Sequence, residues 1–199
     1  MKKVFRRDFL ASTLVFTGSF LSACQTLDLA VFPEITFNHL KPINLRAKQL
    51  KITELFQERN MSPNIEHKFP VAPKKVMRTW ASTRIKTSGS VWTVIFSIKD
   101  ASVTEVNLKT DKSIKGFFVS EQSHQFNARV EAQLELTDLN DSSYQAIANA
   151  SATRSHTIEE GASINKRHQL WFEMTELIMA DFNSAMESSI KKHFGEFLL

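Results

Sequence analysis

Cysteine occurs once in the 199 residues, at position 24. No intramolecular disulfide can therefore hold the fold, and stability has to come from a packed core. Glycine and proline are also scarce, five of each, which excludes collagen-like and low-complexity architectures; no internal repeat is present. The short motifs that mark common chemistries are missing. There is no Gly-x-Ser-x-Gly elbow, P-loop, Gly-x-Gly-x-x-Gly or His-Glu-x-x-His. The six histidines, His39, His67, His124, His156, His168 and His193, include no pair at helical metal-ligand spacing. These absences lead to an expectation of no catalytic residues, no metal and no cofactor.

What is present begins at the N-terminus. Lys2, Lys3, Arg6 and Arg7 form a positive region, and an apolar run over residues 9–20 follows, diluted by Ser12, Thr13, Thr17, Gly18 and Ser19. About a dozen residues are too few to cross a hydrocarbon core ~30 Å thick, so a cleaved signal is expected rather than a permanent span. Leu21, Ser22, Ala23 and Cys24 close the run and resemble the bacterial lipobox. That resemblance implies cleavage before Cys24, a diacylglycerol on its thiol and a further acyl chain on the new N-terminus. Two or three chains, at roughly 0.8 kcal/mol per buried methylene, anchor a protein essentially permanently. Arg6 and Arg7, with Phe9 and Leu10 as the following apolar positions, resemble a twin-arginine export signal; an ordinary Sec signal is the alternative. Gln25 follows the cysteine, where an aspartate would resemble inner-membrane retention, so the outer membrane is expected.

Removing residues 1–23 changes the electrostatics. Four of the 25 basic residues and one of the 21 acidic residues lie there, leaving 21 basic against 20 acidic. The whole-chain pI of about 9.2 is thus no argument for nucleic-acid binding, which needs a clustered basic face. The expected organisation is a signal peptide at 1–23, a lipidated tether at 24–42 and one domain at 43–199, long enough to bury a core. The apolar residues of the tether have two other places to go, the domain surface or the membrane interface.

Within the domain, residues 43–56 read as a strand whose parity switches near Lys48 and Gln49, giving either a bulge or two short strands. Residues 57–72 form an irregular crossing broken by Pro63 and Pro70. Pro73 opens a helix whose buried stripe is Val76, Met77, Trp80, Ala81 and Ile85, with Gly89 as its end. Residues 90–98 read as a strand, extended by Val103, Val106 and Leu108. The alternation of Phe126, Ala128, Val130, Ala132, Leu134 and Leu136 against Asn127, Arg129, Glu131, Gln133 and Glu135 is a half-buried antiparallel strand. Asn140 to Ser143 reads as a turn, and Tyr144, Ala146, Ala148, Ala150 and Ala152 as a partner strand small enough to let a helix approach. Thr157 with Glu160 has capping-box spacing, Ser163 is a second cap candidate, and a long helix follows over residues 163–194. The fold class is α+β. It has two layers, an antiparallel sheet of about four strands with two helices on one face, in the order β-α-β-β-β-α.

A lipobox followed by this order resembles the small envelope lipoproteins of Gram-negative bacteria. Among them are the auxiliary lipoproteins of ABC-type envelope lipid transporters and the lipopolysaccharide-assembly lipoprotein. Residues 63–70 and 170–175 are also similar to pieces of uncharacterised proteobacterial lipoproteins. The resemblance implies a non-enzymatic accessory or assembly factor, held to the membrane by covalent lipid and binding an envelope protein or a lipid. A periplasmic lipid carrier, an envelope hydrolase and a structural module are the alternatives. The surface contacts weighed are Phe117, Phe118 and Val119 in a loop between strands, the sheet edge and the far end of the long helix. Trp80, Trp92, Phe96 and Trp171, with Phe117 and Phe118, read either as core or as an acyl-chain groove. For a hydrolase, Glu66 beside His67 is the place to look, against a surface loop that satisfies nearby backbone. His156, Glu159 and Glu160 read as helix capping, and Lys166, Arg167 and His168 as a solvated face or a headgroup contact.

Overall fold

The computed structural model describes residues 30–108, 122–138 and 143–199. The signal segment, Cys24, the Phe117, Phe118 and Val119 loop, and positions 140–142 of the expected turn lie outside the described residues.

The chain forms β1 (Ile43–Leu45), β2 (Gln49–Glu54), α1 (Pro73–Arg84), β3 (Ile85–Thr87), β4 (Thr93–Asn107), β5 (Gln122–Thr137), β6 (Tyr144–Glu159) and α2 (Ile164–His193). Short 3₁₀ turns sit at Glu66–Lys68 and Gly195–Phe197. The main sheet has the order β2-β4-β5-β6, and β1 pairs separately with β3. The α+β class, with both helices packed on one face, is what the apolar spacing predicts. The sheet is mixed rather than wholly antiparallel, because β2 runs parallel to β4. Its connection to β4 passes through α1, and a crossover of that length returns a strand in the same sense.

The parity switch at Lys48 resolves as two strands in two sheets. Ala47 is fully buried where they divide. α1 ends at Arg84 rather than at Gly89, because Ile85 turns extended and enters β3 beside Ile43. Gly89 has a different task. A Cβ there would come within 2.9 Å of the Ala47 nitrogen, so only glycine lets this backbone pass.

β4 begins at Thr93 and runs 15 residues without a break. A bulge between Ile98 and Asp100 changes the inward parity from Phe96 and Ile98 to Ala101 and Val103, all fully buried. Val106 therefore lies on the outward parity and is half exposed.

β5 buries all six expected residues. Leu134 faces Ala148, Ala132 faces Ala150 and Val130 faces Ala152 across the hairpin, so the inner face of β6 is made of small side chains. That relief lets α2 settle on β6 and partly cover the edge strand. The Asn149 backbone N–H donates to Ser189 Oγ at 3.1 Å, and Arg154 pairs with Asp181 at 2.8 Å. A covered edge is protected against pairing with another chain.

Ser163 is the N-cap of α2, its hydroxyl accepting from the Lys166 N–H at 3.2 Å. Thr157 and Glu160 do not cap. Thr157 belongs to β6, and Gly161 makes the turn at φ +80°. At 1.5 Å per residue the 30-residue α2 is about 45 Å long. It ends in Lys191, Lys192 and His193, cations suited to the negative end of the dipole.

Candidate functional site

The interior was one candidate for a ligand site. Trp80 of α1, Phe96 of β4 and Phe182 of α2 meet at centroid distances of 5.3–6.4 Å, and all three are fully buried. Trp171 stacks on Phe69 at 5.1 Å and meets Phe126 edge-on at 5.5 Å. Trp92 packs against Phe197 at 6.2 Å. These aromatics fill the space between sheet and helices and are core, as strand and helix periods more often mean. The Trp80 indole donates to Asn183 Oδ1 at 2.8 Å, which also accepts from Arg84 Nε at 3.1 Å. Arg84 is buried, and its remaining arm pairs with Glu187 at 2.8 Å. The Glu187 carboxyl is held below its ordinary value, chiefly by the hydrogen bond from Lys191. This network joins α1 to α2, and Arg84 gave no sequence signal beyond closing a helix.

Glu66 and His67 part company. The Glu66 carboxylate is buried and accepts from the backbone N–H of Arg59 at 2.9 Å and of Val103 at 3.3 Å. It pins the crossing loop to β4, beside the bridge from Asn64 to Thr104. His67 is exposed. The carboxylate is therefore committed to backbone donors, the behaviour of a loop that satisfies nearby polar groups.

A cluster of titratable groups lies where α2 begins. Glu105 Oε1 accepts from Arg167 Nη1 at 2.7 Å, and His124 Nδ1 lies 3.1 Å from the same oxygen without hydrogen-bond alignment. The Arg167 guanidinium sits 5.5 Å from the Phe126 ring centre and 5.8 Å from that of Trp171. His168 packs on Trp171 at 5.5 Å, and Lys166 pairs with Glu159. His156 is exposed and Glu159 ends a strand, so these residues do not start the helix. The corner fastens α2 to β4 and β5 with one carboxylate between two cationic or ionisable groups. Among the described residues no three His, Cys, Asp or Glu side chains converge in a way that could hold a metal.

The segment before β1 is part of the domain. Phe32 stacks on Phe172 at 5.1 Å, Phe37 is buried, and Ile35 and Leu40 pack on the core. Glu34 meets Lys75 at 3.2 Å. The segment runs from α1 and the middle of α2 toward β1, leaving a surface groove of about 440 Å³ lined by Ile35, His39, Glu176 and Ala180 among others. Of the two destinations for these apolar residues, the described part takes the domain surface. Among the described residues no helix is long and apolar enough to cross a membrane.

No family model matches the chain, and comparison with curated proteins finds no match. Solved structures do match. Lipoprotein B from Nitrosomonas europaea is 14% identical with a TM-score of 0.41, over 76% of this chain and 88% of that one. A minor lipoprotein from Acinetobacter baumannii is 12% identical with a TM-score of 0.36, over 74% and 91%. Rare lipoprotein B from Shewanella oneidensis is 9% identical with a TM-score of 0.36, over 73% and 96%. At these scores the likeness carries no assignment of activity.

Proposed function

We propose that the protein is a non-enzymatic lipoprotein of the outer membrane, anchored through Cys24, that serves envelope lipid or lipopolysaccharide transport as an accessory or assembly factor. The observation that carries the reading is the run Leu21, Ser22, Ala23 and Cys24 closing an export signal. The protein then works at a membrane surface, through contacts rather than turnover. The filled layer around Trp80, Phe96 and Phe182 favours binding of a protein partner at the surface over carriage of a lipid inside. The twin-arginine pair Arg6 and Arg7 is the proposed export route, and Phe117, Phe118 and Val119 are proposed contact residues. Glu66, held by two backbone donors, is the weak point of the hydrolase alternative.

Membrane fractionation tests the anchor. Cys24→Ala is expected to move the folded domain from the outer-membrane fraction to the soluble periplasm; retention in the membrane ends the lipobox reading. In-cell crosslinking of the acylated protein, followed by mass spectrometry of proteins and lipids, tests the role. A stoichiometric transporter or assembly protein supports the adaptor. A bound lipid without a protein replaces it with the carrier.

A further inference from the structure

We infer that the end of the domain carrying the start of α2 lies on the bilayer that holds the Cys24 acyl chains, an inference that rests on the lipid-anchor reading above. The argument is one of reach. Among the described residues, the chain that follows the anchor meets the helices at Phe32, stacked on Phe172, the ninth residue of α2. Phe32 lies eight positions after Cys24, at most about 28 Å away when fully extended. From Phe172 to His193 the helix runs on for about 32 Å. The start of α2 is thus the end that the anchor reaches most easily.

That same end exposes apolar side chains. Val31 is 97% exposed beside the Phe32 contact, Met61 71% and Ile164 51%. Met61 belongs there because its loop is tied to β4: Pro63 O accepts from the Glu105 N–H at 2.9 Å, and Glu105 is the partner of Arg167. The opposite end of α2 carries Lys191, Lys192 and His193 with Leu199 61% exposed beside it, and Lys166, Arg167 and His168 put basic groups at the start of α2 as well, so reach is what sets the two ends apart. Isolated apolar side chains at an anchored end have a place to go, the headgroup boundary, where burial of each adds to the acyl-chain attachment.

The test uses the full acylated chain in vesicles of phosphatidylethanolamine and phosphatidylglycerol carrying brominated acyl chains. With Cys24 acylated, an added cysteine is the one free thiol for a fluorophore. Probes at Met61→Cys and Ile164→Cys are expected to be quenched several-fold more than probes at Lys192→Cys and Leu199→Cys. All four sites are exposed, and equal unfolding temperatures check that the fold survives. Equal quenching at both ends, or stronger quenching at Lys192 and Leu199, overturns the orientation while leaving the anchor intact. If the protein fails to float with vesicles and the mass of Cys24 shows no lipid, the anchor reading falls and the orientation falls with it.

Discussion

The described residues form two sheets built on different principles. In the four-stranded sheet, β5 and β6 pair over some 15 positions, and every inward residue from Phe126 to Leu136 is buried. β5 and β6 each announce their inner face by period-2 alternation, and a slip of one residue would turn the whole apolar set to water. The β1–β3 pair has three residues a side and little pattern of its own. It persists because distant parts of the chain converge on it. Gly89 lets the backbone at Ala47 pass, and the C-terminus clips on from the other side. Leu198 bridges Leu45, the Arg46 N–H donates to Phe197 O at 2.8 Å, and the Leu199 N–H to Asn44 O at 3.0 Å. Long strands thus carry their own register, whereas a short parallel pair borrows it from its surroundings.

The strongest way to break the large sheet's side of this contrast is Trp80→Ala. The change empties the contact between Phe96 and Phe182 and leaves Asn183 Oδ1 without its indole donor. A loss of about 3–5 kcal/mol is expected in chemical denaturation. For the small sheet the matching change is Gly89→Ala, which drives a methyl group to 2.9 Å from backbone that cannot swing aside. The expected cost is about 1–3 kcal/mol, with hydrogen exchange quickened first at Leu45 and Ser88. A cost as large as that of Trp80→Ala would mean that the small sheet is no appendage. Ser163→Ala removes the cap of α2, the helix that covers β6, and is expected to cost about 1 kcal/mol with fraying confined to its first turn.

The smallest effect is one of pH. Glu187 titrates below its ordinary 4.5 in the folded state, chiefly because Lys191 donates to it. Its ionised form is therefore favoured by folding, and that contribution is present above the unfolded value and lost as pH falls through the lower, folded one. The unfolding temperature of Glu187→Gln is expected to lie below that of the parent at neutral pH. The gap should narrow as pH falls below 4.5 and through the lower, folded value; a gap that stays constant would remove the carboxylate from the account.

Much of the architecture was legible from residues a few positions apart. The β5 pattern, Pro73 at the start of α1, the Ser163 cap and the alanine face of β6 are local signals, and each turned up in its expected place. The errors share a cause. Gly89 looked like a helix end because glycine commonly ends helices, but Ile85 was drawn into β3 by Ile43, 42 positions earlier. Val103 and Val106 fall on opposite faces of β4 after the bulge at Ile98, which no local pattern announces. Thr157 and Glu160 had the spacing of a cap, yet β6 pairing held Thr157 opposite Gln125. The corner of Glu105, His124 and Arg167 was not found as a unit, since nothing in the chain links position 105 to position 167.

By itself, then, the sequence determined the α+β class, the long antiparallel hairpin, the two helices and the expectation of a lipid anchor at Cys24. These depend on side-chain periodicity and short motifs, interactions that reach only a few residues along the chain. Tertiary structure alone decided that β2 runs parallel to β4, that the segment around Phe37 belongs to the domain, and that Glu66 serves backbone donors while Arg84 is buried against Asn183 and Glu187. Each of these depends on which distant groups can satisfy a buried donor, acceptor or apolar face, and that becomes definite only when the layers have packed together.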